Sequence, residues 1–182
     1  IWLVALGVMM ESFEQTLTGG HPNSLGRTVE VVEIVLADQA RFEELYRCYF
    51  SEDEVVRLRT SNGIKRVAKV ELAWLVPYID RLLTEIAEID QASTQWTLAD
   101  LFGMLAGLMN EGQRERAEAH LKHNLATHND WIVLNSTMKT LGAWAKRDEG
   151  LRHWLVPHLE RLSGDRRKSV AKRAGKLLSA LS

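Results

Sequence analysis

Three clustered histidines, one cysteine and a repeated pair of carboxylates are the residues of this chain whose types could do chemistry. His120, His123 and His128 lie within AHLKHNLATH. His120 and His123, three apart, share a helix face. A zinc site wants a third protein ligand and often the H-E-x-x-H spacing, which is absent, so the histidines are expected to be polar and exposed. Neither a metal nor another cofactor is expected. Cys48 sits between aromatic residues in LYRCYF with no histidine beside it; this context predicts a buried, inert thiol and not a nucleophile. Asp80 and Glu160 occupy matching positions in WLVPYIDRL (74–82) and WLVPHLERL (154–162), each followed by an arginine, and the two copies start 80 residues apart. At that separation the acids read as polar partners between repeated units, since one substrate could not reach both. No G-x-S-x-G, P-loop or dinucleotide-binding fingerprint occurs, and the glycines of GMLAG (103–107) fall in an apolar helix, where they permit close packing. No catalytic residue is expected.

Binding chemistry is better represented. Arg59, Arg66 and Lys69 fall on one side of a helix predicted over 53–69, and Lys168, Lys172 and Lys176 on one side of the last helix. Two such basic stripes can track phosphates. Trp96 and Asp100, four apart, share a helix face in WTLAD. The formal net charge of −1 conceals an asymmetry: residues 1–138 carry 12 Lys/Arg against 20 Asp/Glu, and residues 139–182 carry 11 against 4. A basic end on an acidic body could take an anionic partner or a neighbouring subunit, while the acidic majority argues against a dedicated DNA enzyme.

The elements that must position these residues are helical nearly throughout. With 46% hydrophobic and 26% charged residues and only three prolines, the chain reads as ordered and globular, of a length suited to one domain over 1–182. Apolar residues recur three or four apart, as at Val29, Val32, Leu36 and Phe42, Leu45, Tyr49, with a break near Ala37–Asp38. Ser51, Ser93-Thr94, Asn129-Asp130 and Gly164-Asp165 offer helix starts. Nothing alternates over a strand's length, so no sheet is predicted. The opening IWLVALGVMM has no initiating Met, is too short to span a bilayer and lacks the flanks of a signal peptide. Met9 or Met10 could be the natural start, with residues 1–9 as upstream or non-native sequence expected to pack as apolar helix. One cysteine and no other long apolar run favour a reducing, cytoplasmic setting without a membrane.

The helices group into five pairs, roughly 10–37, 39–70, 72–110, 111–147 and 149–182, a period that points to an α-solenoid. Residues 155–181, LVPHLERLSGDRRKSVAKRAGKLLSAL, resemble one HEAT repeat. Leu155, Pro157, Leu159 and Leu162 stand in its first helix, Gly164-Asp165 at the turn, and Val170, Ala174 and Leu177 in the second. Ala171 stands where the family pattern has arginine, so the usual Asp–Arg ladder is incomplete. The resemblance implies an all-α superhelix of the HEAT/armadillo type, with Trp74 and Trp154 as packing anchors and Pro77 and Pro157 bending the first helix of their pairs. Such a protein is expected to be a non-catalytic scaffold or adaptor for a protein or peptide partner, or a regulatory subunit docking through its basic end. The alternative is a nucleic-acid-binding protein: Trp96 and Asp100 are similar to part of the site of HEAT-like bacterial alkylpurine DNA glycosylases. That likeness would put Trp96 against DNA, Asp100 beside the cationic sugar, and Arg59, Arg66 and Lys69 along the backbone.

Overall fold

A computed structural model describes residues 11–182; the expectation for the opening segment falls on residues outside this range. Among the described residues there are ten α-helical segments and no strand. They are α1 (Phe13–Thr16), α2 (Thr28–Ala37), α3 (Phe42–Arg47), α4 (Glu54–Val70), α5 (Ile79–Arg81), α6 (Ala92–Leu105), α7 (Glu111–Thr127), α8 (Trp131–Ala145), α9 (Glu149–Ser163) and α10 (Lys168–Leu181). Two compact units can be told apart, one ending at Val67 and one spanning Ala68–Ser182.

In the first unit α1, α2 and α3 pack together. Ser12 and Gln15 form a reciprocal capping box that starts α1. The break at Asp38 is real: its backbone is extended and its carboxylate accepts from the Ala40 amide. The phase of α2 differs from expectation. Thr28, Val31, Val32 and Val35 are buried, whereas Val29 is 44% exposed. Three pairs of β-branched residues, Thr28-Val29, Val31-Val32 and Ile34-Val35, leave the sequence several possible stripes, and packing on α1 and α3 selects one. The start of α4 also moves. The Ser51 hydroxyl accepts from the Asp53 amide, and it is Asp53 whose carboxylate takes the Val55 amide at 2.8 Å. Gly63 lets α4 close on Leu45 and Thr28, 3.6 Å from where a Cβ would sit.

The second unit holds both copies of the nonapeptide, and they differ in backbone. The first begins in a 3-10 stretch, Leu72–Tyr78, passes through α5 and ends in a π-turn, Leu82–Ile86, in which the Ala87 amide donates to the Leu82 carbonyl at 3.0 Å. The second lies wholly within α9. Asp148 caps α9 by accepting from the Leu151 amide, while Glu71 makes no side-chain cap, so the first copy meets Pro77 before a helix is established. Burial nonetheless repeats: Leu75, Ile79 and Leu82 are buried in one copy, and Leu155, Leu159 and Leu162 in the other. Trp74 and Trp154 are only half-buried and so are partial anchors. Trp154 stacks on His158 at 4.2 Å with the Lys122 ammonium 5.3 Å from its ring.

From α6 onward the expected pairing is clear. Helix α8 packs against α6, α7, α9 and α10, and α9 packs on α10. The Thr140 hydroxyl donates to the Ala99 carbonyl at 2.8 Å, with Gly103 leaving it room. Asn135 meets Ser169 and Gly142 meets Leu177, so α8 and α10 run parallel. No helix among the described residues is long and apolar enough to cross a membrane.

Candidate binding groove

The charged surface with a concave shape is built where α10 lies along α8. Asp130 caps α8 by accepting from the Ile132 and Val133 amides, which fixes Trp131 as the first helical residue with its side chain 49% exposed. The start of α10 is braced from outside the helix. The Arg167 guanidinium holds the Asp165 carboxylate at 2.9 Å and also donates to the Asn129 carbonyl, tying the two helix starts together. These hydrogen bonds, with that from the Arg167 amide, hold the Asp165 carboxyl at about 2, below the ordinary carboxylate value. Val170 and Ala174 then face the core, which turns Lys168, Lys172 and Lys176 outward, as their spacing predicts.

Between the two helices runs an open groove of about 560 Å³. Trp131, Asn135 and Ser169 line one end, and Lys146, Leu177 and Ala180 the other, with Lys172, Arg173 and Lys176 along the α10 side. Among the described residues four cationic side chains line it and no carboxylate does. Leu177 lies partly exposed, tight against α8 because Gly142 has no side chain; a Cβ there would stand 2.7 Å from the leucine tip. The Asn135 side-chain amide donates to the Ser169 hydroxyl at 3.3 Å, and its Oδ1 is buried with no partner among the described residues. The sequence points to Lys172 and Lys176 but not to Trp131, Asn135, Lys146, Arg173 or the groove role of Leu177. The visible signal is a tryptophan placed directly after an Asn-Asp helix start.

A second, polar cleft of about 320 Å³ gathers His120, His123 and His128 with the 87–90 segment that follows the π-turn. Its centre is the buried Gln95. The Gln95 side-chain amide donates to the carbonyls of Ala87 and Ile89, and its oxygen meets His120 at 2.8 Å and the Asn124 amide at 2.9 Å. Burial, and secondarily His123, lowers the pKa of His120, with Glu88 opposing. His120 is therefore a largely buried member of a polar core and not the exposed residue expected. Among the described residues no group of His, Cys, Asp and Glu could hold a metal ion. Gln95 thus supplies a side-chain donor to the Ala87 carbonyl and a second donor to the Ile89 carbonyl, which also accepts from the Gln91 amide at 2.9 Å, bracing the irregular turn.

The remaining predicted residues fall as follows. Arg59 is fully buried in the first unit, and its guanidinium donates to the carbonyls of Leu17, Gly19, His21 and Ser24 at 2.6–3.2 Å. This corrects its assignment to an exposed basic stripe: the charge is consumed inside the protein, out of reach of a phosphate. Arg66 is exposed and bonds Asn62 at 2.7 Å, and Lys69 is exposed. Trp96 and Asp100 share a half-buried face of α6 and line neither cleft. Asp80 accepts from the Gln113 side chain at 3.0 Å, and Arg161 donates to the Leu125 carbonyl at 3.3 Å. Cys48 is buried, and desolvation, aided by Glu14 and Glu44, pushes its thiol up to about 12.

No protein-family model matches this chain, and no curated protein matches it.

Proposed function

We propose that the chain is a non-catalytic adaptor with a HEAT-like superhelical plan, which holds a protein or peptide partner. The observation that carries this reading is the groove along α8 and α10: solvent-open, lined by cations and an exposed tryptophan, and free of acidic residues. Aromatic and basic side chains gathered in a concavity are what peptide recognition uses to combine apolar anchoring with charge selection. The repeat plan is supported by the matched burial of the two nonapeptides and by α8 packing between α6 and α10, as stacked helix pairs require.

The nucleic-acid reading draws on the same basic groove, without Arg59. It is the weaker of the two, because a duplex extends well past one short groove and the rest of the chain is acidic on balance. A displayed library of random peptides, selected on the purified chain in parallel with labelled duplex and single-stranded DNA, tests both. The adaptor reading expects recurrent peptide sequences to be enriched. Recovery of none, together with salt-sensitive DNA binding, overturns it.

A further inference from the structure

We infer that the α8/α10 groove takes an extended acidic peptide segment with one apolar side chain seated at Trp131. The inference rests on the adaptor reading and specifies the occupant of that same site. Charge comes first. Lys146, Lys172, Arg173 and Lys176 line a groove without a carboxylate, so an uncharged or basic segment would leave four cations crowded and unanswered. Concave, partly desolvated walls strengthen their field over that of the same charges on a flat surface.

Length comes next. Trp131 and Lys146 bound the α8 wall, and at ~1.5 Å per residue that wall is about 22 Å long. An extended chain rising ~3.3 Å per residue spans it with about seven residues. The groove is not uniformly polar. Trp131 at one end and Leu177 within it give apolar surface that acidic residues alone would not cover, so the segment carries at least one apolar anchor.

Asn135 separates a peptide from a polynucleotide. Its side-chain amide is spent on Ser169, and its Oδ1 has no partner among the described residues. A peptide backbone offers donor and acceptor alternately and can meet whichever end is left over. A phosphodiester backbone offers acceptors alone. Reorientation of Asn135 towards an incoming backbone amide would therefore relieve a buried polar atom that otherwise lacks a hydrogen bond.

The test is fluorescence anisotropy with labelled seven-residue peptides in three compositions: acidic with one leucine, the same with amides replacing the acids, and basic with one leucine. Each is titrated with wild type, with Lys172→Glu/Lys176→Glu and with Trp131→Ala, and far-UV circular dichroism confirms that all three chains are folded. Lys172, Lys176 and Trp131 are exposed, so their replacement should leave the core intact. The expected result is acidic-peptide binding that weakens about tenfold or more in the charge-reversal variant and about thirtyfold in Trp131→Ala. Equal affinity of the acidic peptide for all three chains moves the site elsewhere and overturns the inference while leaving the adaptor reading standing. Equal affinity of wild type for all three peptides overturns the acidic occupant, again without touching that reading. Failure of every peptide overturns the inference, and if labelled duplex binds instead, the adaptor reading falls with it. Concentration-dependent self-association abolished by the charge reversal, with no peptide bound, makes a second copy the occupant and also overturns it.

Discussion

Replacing Arg59 with leucine should unfold the region around it, and the size of the effect follows from its partners. The guanidinium is fully buried and its contacts include four backbone carbonyls from one loop, at Leu17, Gly19, His21 and Ser24. Hydrogen bonds from a charged donor contribute about 1.5–3 kcal/mol each, but a simple sum overshoots. The bonds to Gly19, His21 and Ser24 are only partly buried, so their carbonyls can regain water once the loop loosens; the bond to Leu17 is buried and its carbonyl cannot. The cost should therefore lie nearer about 3–5 kcal/mol, in the range for breaking one side of a buried charged interaction. Gly20 and Gly26, at φ of 73° and 52°, let the loop turn tightly around the side chain; a Cβ on Gly26 would stand 2.8 Å from the guanidinium. Hydrogen exchange read by mass spectrometry on the peptide covering 17–28 is the direct assay, with urea unfolding beside it. Protection should fall by about two to four orders of magnitude, limited by the opening free energy of the wild-type loop. Arg59→Lys should recover part of it, because one ammonium cannot reach all the carbonyls a planar fork reaches. A loss under about 1 kcal/mol with unchanged exchange would refute the reasoning and return Arg59 to the pool of free cations.

Other consequences are independent of that loop. Cys48 in the native chain should resist thiol-specific reagents at mildly alkaline pH and react at the ordinary rate in urea, since burial pushes its thiol up to about 12; rapid native labelling contradicts its placement. Asp165 has a carboxyl held at about 2, below its unfolded value, so its contribution to stability is present above about pH 4 and lost as pH falls towards 2. Asp165→Asn should therefore be less stable than wild type near neutrality and equal to it at about pH 2, read by thermal unfolding across pH. Gly142→Ala should fold, helped by helix propensity, but push the Leu177 tip into the groove and weaken any ligand held there; unchanged affinity would remove Leu177 from the binding surface.

What the sequence made legible depends on how local the determining contacts are. The pair boundaries at 111 and 149 coincide with the starts of α7 and α9, because Asn110 and Asp148 accept from amides two or three residues into the same helix. The outward face of α10 was legible for the same reason: Val170 and Ala174 repeat at helical spacing. The first nonapeptide has the spacing of a regular helix but is not one, because a missing cap and Pro77 convert it to 3-10 and π turns without altering its apolar spacing. Arg59 looked like one of a stripe because its carbonyl partners lie 35–42 residues earlier in the chain. The groove is not legible in the sequence because Trp131 and Lys172 become neighbours only when α10 docks on α8.

The six tryptophans provide the most direct measurement of the groove's role. In a 15N-labelled chain each indole N–H gives its own resonance, and titration with the acidic leucine-containing peptide should shift that of Trp131. Trp96 and Trp144, the latter buried under Arg114, should stay in place. Movement of Trp96 with Trp131 unchanged would contradict the assignment and put binding on the α6 face.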